Sequence, residues 1–127
     1  MFLRTLEDSE FYSLFKVIII GEGECKKDIE NFSKKSKLDV ELTSMMERED
    51  YLRVVRDSDI GLVVLDKNLE ANNYPGKSFD YMYYSKPLLC YLNKNNEFGS
   101  MVRDLDFGYF VEGGVKESIE KNLRSMI

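Results

Sequence analysis

The chain contains no histidine and no tryptophan, and only two cysteines and two prolines in 127 residues. The missing histidine excludes His-based catalytic triads and a histidine general base, and it removes the commonest side-chain metal ligand. Cys25 and Cys90 are too far apart for a metal-binding pair and too few for a disulfide framework. Positive charge is short as well. Eighteen Lys and Arg stand against 23 Asp and Glu, so the net charge is −5, and a nucleic-acid partner, which needs a basic face, is not expected. No apolar run has the length of a signal or membrane helix; the longest, Val17 to Ile20, has the length of a strand. The expected location is cytoplasmic, where the sequon Asn31-Phe32-Ser33 goes unused.

What is present is a globular composition, 43% hydrophobic and 32% charged, at the length of one domain spanning residues 1–127. Apolar runs alternate with amphipathic stretches. Phe15 to Ile20 is a β-branched run expected to form a strand buried on both faces. A helix is expected over Cys25–Lys35, with Ile29 and Phe32 as its stripe, then a strand over Val40–Thr43. Arg48–Asp57 places Tyr51, Leu52, Val54 and Val55 on one helical face. Ile60–Leu65 is a buried strand ending at Asp66. A helix from Pro75 to about Tyr84, a strand over Pro87–Leu92, a helix over Asn96–Leu105, a strand over Gly108–Val111 and a helix over Val115–Met126 complete the chain. Phe2–Leu14 reads as helical. This alternation predicts an α/β fold, a Rossmann-like parallel sheet with helices on both faces. Ligands of such folds gather at the carboxyl ends of the strands.

Three places there invite chemistry. Gly21-Glu22-Gly23-Glu24 begins like a dinucleotide fingerprint, but Lys26 stands where the third glycine belongs and two glutamates oppose a pyrophosphate. It reads as a tight turn whose glycines leave room for a ligand held by other loops. Asp66 ends a strand as a receiver's phosphoacceptor does, with Glu22 and Glu24 as an imitation of the acidic pair. Lys86-Pro87, however, precedes a strand where the receiver's lysine follows one.

The third place is Tyr74 to Pro87. Pro75 suits a first helical turn, and the free N–H groups of Lys77, Ser78 and Phe79 favour an anion. Gly76 permits close backbone approach, Lys77 adds a cation, Ser78 a hydroxyl, and Asp80 a carboxylate for a sugar diol. Phosphate followed by diol is the order of groups in a nucleoside diphosphate. A plain helix start, with Lys77 solvated and Asp80 favourable to the dipole, explains the same residues. The aromatics of the segment are expected in the core, with Phe79 facing it together with Met82 and Tyr83.

Ile20-Gly-Glu-Gly-Glu24, Ser58-Asp-Ile-Gly-Leu-Val-Val64, Pro75-Gly-Lys-Ser-Phe-Asp-Tyr-Met82, Ser85-Lys-Pro-Leu-Leu89, Glu97 and Phe107-Gly-Tyr-Phe-Val111 follow one another in an order that resembles the C-terminal half of GT-B glycosyltransferases, family GT4. The resemblance runs from Phe15 to the end. It implies a donor-binding domain or subunit for transfer of a sugar from a nucleotide sugar, of UDP or GDP type, in bacterial surface polysaccharide biosynthesis. Substrate-binding residues carried over from it are Asp80 on the ribose, Asn72 on the sugar, Gly76, Lys77 and Ser78 on the diphosphate, and Gly21 and Gly23 beside the nucleotide. It implies no metal and no cofactor.

Two departures qualify this. Asn72 stands where the family often has a glutamate. The family's opening strand, with its Gly-Arg-like pair and "KG" step, has no counterpart here, nor does the acceptor domain that usually supplies a catalytic base. A missing acceptor-binding domain or partner subunit is therefore implied, any peripheral membrane association would run through it, and the chain alone is expected to be inactive. A non-catalytic nucleotide-binding or regulatory domain on a degenerate GT-B half is the alternative, with the receiver as a third reading.

Overall fold

A computed structural model describes residues 2–64, 77–92, 95–112 and 116–126. The expected alternation of parallel strands and helices is observed. In chain order it runs α1 (Phe2–Asp8), a 3-10 turn (Tyr12–Leu14), β1 (Lys16–Ile20), α2 (Lys26–Lys35), β2 (Asp39–Thr43) and α3 (Arg48–Asp57). It continues through β3 (Gly61–Val64), α4 (Lys77–Tyr83), β4 (Leu88–Leu92), α5 (Glu97–Asp104), β5 (Gly108–Glu112) and α6 (Lys116–Met126).

Among the described residues the strands are parallel, as expected, and are divided between two small sheets. β1 pairs with β2, Val17 opposite Val40. β3, β4 and β5 pair in that order, Val63 opposite Cys90 and Cys90 opposite Phe110. All five residues of β4 are buried, as its central place demands. Because side chains alternate across a strand, β4 divides the interior in two.

On one face Leu89 and Tyr91 join Val17, Val111, the α1 residues Phe2, Leu3 and Leu6, and Ile119 and Leu123 of α6. Ile29 and Phe32 of α2, Ile19 of β1, Val40 of β2 and Leu62 of β3 pack against the same cluster. Both sheets therefore rest on one helix layer of α1, α2 and α6. On the other face Leu88, Cys90, Leu92 and Val63 meet Phe98 and Val102 of α5, with Tyr81 and Met82 of α4 alongside. Each fully buried aliphatic or aromatic side chain contributes about 1.5–3 kcal/mol by leaving water.

α5 starts at a sequence-encoded cap: Asn96 Oδ1 accepts the N–H groups of Phe98 at 2.9 Å and Gly99 at 3.3 Å, which satisfies two otherwise orphaned donors. α3 has two acids in its first turn and Arg56 in its last, in accord with the helix dipole.

Two expectations are corrected. β1 is not buried on both faces: Val17 is buried but Ile18 is 42% exposed, because the second helix layer covers β3 to β5 and not β1. In α4 the inward stripe is Ser78, Tyr81 and Met82, spaced i, i+3, i+4, while Phe79 and Tyr83 are 61% and 81% exposed. The core face of that helix had been expected on Phe79.

Candidate functional site

Hydrogen bonds tie the loop after β1 to the end of β2, and a separate set of side chains ties the start of α3 to α4. After β1 the backbone turns at Gly21, whose φ of +146° suits glycine and whose N–H donates to the Thr43 carbonyl at the end of β2. A Cβ there would approach Met45 Sδ to 3.8 Å. Glu22 accepts from Lys26 at 2.8 Å. That bond first, then one from Ser44, holds its carboxyl below the usual range. One of the two glutamates of the Gly-Glu-Gly-Glu loop is thus neutralised by the lysine that replaces the third fingerprint glycine. Gly23 faces open space, so no packing constraint requires glycine there.

Arg48 at the start of α3 reaches Asp80 in α4, Nη2 to Oδ1 at 2.8 Å. The Asp80 side chain is only 18% exposed and that of Arg48 70%. Tyr51, one turn into α3, hydrogen-bonds to Asp80 and to Tyr81. Burial, then the negative charge of Asp80, pushes its phenol upward. Burial pushes the Tyr81 phenol up to about 12. Its hydroxyl stands 3.4 Å from the Leu62 carbonyl, and its ring covers Gly61, where any Cβ would overlap it. Asp80 is thus a carboxylate held by two groups, Arg48 and Tyr51.

Of the residues that the sequence nominated, Lys77, Ser78, Asp80, Gly21 and Gly23 are described; Asn72 and Gly76 lie outside the described residues, as do Tyr74, Pro75 and Asp66. Lys77 and Asp80 share a face of α4 at i, i+3. The Lys77 residue is exposed, yet protein crowding around its ammonium pulls the pKa below the ordinary lysine value, and the Cys90 thiol in its field acts in the opposite sense. Cys90 itself is fully buried, and burial raises its thiol to about 12. Ser78 is fully buried, and its hydroxyl has no partner among the described residues. It faces the interior, not the solvent side on which Phe79 lies.

Sequence reasoning missed Arg48. One signal was available: a cation opening a helix opposes the dipole, so it needs a nearby anion to offset it, and Asp80 is that anion. Among the described residues no cluster of three His, Cys, Asp or Glu could hold a metal ion, and no helix is long and apolar enough to cross a membrane.

The fold defines an α/β protein of parallel strands and helices, in which Arg48, Tyr51, Asp80 and Tyr81 form a polar contact between α3 and α4. Comparison with protein-family models, with curated proteins and with solved structures finds no match.

Proposed function

We propose that the chain is the donor-binding domain or subunit of a glycosyltransferase, holding the nucleotide of a nucleotide sugar beside the contact between α3 and α4. The observation that carries this reading is Asp80: a mostly buried carboxylate, oriented by Arg48 and Tyr51, on the helix that also carries Lys77. An ionised carboxylate has about four acceptor sites, so Arg48 leaves room for a ribose diol. Lys77 and Arg48 supply positive charge toward a diphosphate, and charge so placed stabilises a departing nucleotide. The order of motifs noted in the sequence supports the same assignment. Sugar transfer, on this reading, takes place with the acceptor-binding partner that the resemblance implies.

The test is an NMR titration of the full chain with UDP, GDP and ADP. Shifts are expected at residues 21–24, 44–48 and 77–81. Their absence from all three segments with every nucleotide overturns the reading. The Arg48–Asp80 pair favours one competitor, a non-catalytic module in which the ion pair is an end in itself. Sugar transfer on adding an acceptor-domain partner would exclude that alternative.

A further inference from the structure

α4 and α5 end in the same way. After α4 the N–H of Ser85 donates to the Met82 carbonyl and that of Lys86 to the Tyr81 carbonyl; after α5 the N–H of Asp106 donates to the Arg103 carbonyl and that of Phe107 to the Val102 carbonyl. Such a pair of bonds is a helix stop whose turning residue is left-handed and most often glycine. Here the turning residues are Ser85, with φ of 57°, and Asp106, with φ of 59°. A side chain in that conformation carries a steric cost that glycine avoids. Both turns therefore keep a side chain where backbone geometry favours none.

The two turns lie side by side and lead into β4 and β5. The N–H of Gly61 donates to the Pro87 carbonyl at 3.0 Å, and that of Leu88 to the Phe107 carbonyl at 3.1 Å. Gly61 pairs with Leu88, and Leu88 with Gly108. Carried two residues back, this register brings Asp59, Lys86 and Asp106 into one row, with neighbours about 4.8 Å apart. The row reads minus, plus, minus. Among the described residues none of the three belongs to an ion pair, whereas the nearby Asp104 is taken by Arg103.

Apolar side chains surround this row unevenly. Leu105 is 58% and Phe107 43% exposed, Tyr83 at the end of α4 is 81% exposed, and Pro87 is exposed as well. On the β3 side, by contrast, Ile60 packs into the core. The open apolar surface thus sits at the ends of β4 and β5. An exposed apolar cluster rimmed by charge marks a contact surface.

We propose that this end of β4 and β5 is a homodimer interface, on which a second copy of the chain docks end to end about a two-fold axis normal to the sheet and between the two strands. The occupant follows from the charges. An isologous contact sets one patch against itself, so the patch must carry both signs. Rotation about an axis in that place reverses the row and sets Lys86 of each copy against Asp106 of the other. Phe107, Pro87 and Leu105 then flank the axis, an apolar centre inside a charged rim. An axis between β3 and β4 would pair Lys86 with Asp59 but would cover little apolar surface. An anionic lipid surface would be repelled by the unpaired Asp59 and Asp106. The dimer also gives a reason for a carboxylate at position 106, where glycine would relieve the turn.

The test is sedimentation of the full chain between about 10 µM and about 1 mM, a span that reaches the weak association of a small interface. A reversible monomer–dimer equilibrium is expected. Carbodiimide coupling of mixed light and heavy isotope-labelled chains is expected to join Lys86 of one label to Asp106 of the other. Lys86→Glu should weaken association about tenfold or more, because it sets like charges together. Combining it with Asp106→Lys should recover the dimer, and Asp59→Lys should leave it unchanged. A monomer throughout, or mixed-label links that are absent or run through Asp59 instead, overturns the proposal. So does a dimer indifferent to Lys86→Glu, an equal loss in Asp59→Lys, or a double variant no tighter than Lys86→Glu. The cross-link is read on the unaltered chain, so it decides even where a variant fails to fold. The turns lie at the other end of α4 from Lys77, and none of these outcomes depends on nucleotide binding.

Discussion

Arg48 and Asp80, 32 residues apart in the chain, meet at 2.8 Å and so join the first turn of α3 to α4. The contact fixes a carboxylate and leaves most of a guanidinium in solvent. Its value for stability is small, because an exposed arginine pays side-chain entropy and is screened; about 0–1 kcal/mol is usual. Its value for a ligand is larger, since a pre-oriented carboxylate loses less on binding. Asp80→Ala is therefore expected to move the urea midpoint little but to weaken nucleotide binding roughly tenfold to a hundredfold, as for loss of a hydrogen bond to a charged group. Arg48→Ala should weaken it less. Titration calorimetry on both variants checks this, and equal affinities in wild type and Asp80→Ala would remove Asp80 from the site.

Ser78 makes a prediction with two opposite signs. A buried hydroxyl without a partner costs about 1–3 kcal/mol, so Ser78→Ala is expected to stabilise the chain by about 1 kcal/mol after partial relaxation. If the hydroxyl is kept for a ligand, the stabilised variant binds nucleotide more weakly, a trade common at functional sites. Thermal unfolding and titration of one sample measure both. A gain in stability with unchanged affinity would make Ser78 a packing residue only.

Glycine positions separate soft from hard neighbours. A Cβ at Gly61 would overlap the Tyr81 ring, whereas one at Gly108 would overlap the backbone of Leu88. The nearest atom at Gly61 is Tyr81 Cγ, so the whole side chain has to shift, but a side chain shifts more readily than a strand backbone paired in a sheet. Gly61→Ala is expected to cost about 1–3 kcal/mol, the range for overpacking. Gly108→Ala is expected to exceed about 4 kcal/mol, which only exceptional substitutions do. Urea unfolding of the two variants gives the order, and a milder effect at Gly108 would contradict the tight β4–β5 contact.

Most of the secondary structure was legible in the sequence, because hydrophobic periodicity and punctuation agreed. Arg48–Asp57 forms the helix over the range that its stripe marks, and α5, Glu97–Asp104, falls within the expected Asn96–Leu105 with Asn96 as its cap. The division into two sheets was not legible, since strand order depends on which edges meet, and a β-branched run looks alike at a centre and at an open edge. The facing of α4 was misjudged because Phe79, Tyr81, Met82 and Tyr83 are all large and apolar enough to be core; only packing against Gly61 selects Tyr81. Within the site, the residues of one segment could be listed from the sequence, but Arg48 could not, since its partner lies on another helix.

The groups with raised pKa values set how the fold fails in alkali. Cys90 is raised from an ordinary 9.0 to about 12, Tyr81 from 10.0 to about 12, and Tyr51 is raised as well. Each is an acid whose neutral form the fold favours, chiefly through burial. Below pH 9 folded and unfolded chains both keep these protons, and stability does not depend on them. Between 9 and 10 the unfolded chain begins to lose the Cys90 proton while the folded chain keeps it. The unfolded state then binds fewer protons, and stability falls as pH rises. Above 10 the two tyrosines join, each group contributing a slope of at most about 1.4 kcal/mol per pH unit. The fall ends as the folded groups titrate near 12. Urea midpoints should therefore drop as pH rises above about 9, with Lys77, whose pKa the fold lowers, acting in the opposite sense. In Cys90→Ala the midpoint is lower throughout, because a buried side chain has been truncated, but the onset should move to about 10. The sequence holds eight tyrosines, so the phenolate absorbance of Tyr51 and Tyr81 is read as the difference from Tyr51→Phe and Tyr81→Phe chains; it should rise together with unfolding and not before it. An onset unchanged in Cys90→Ala, or phenolate signal from Tyr51 and Tyr81 in the still-folded chain near pH 10, would mean that water reaches these groups in the folded state.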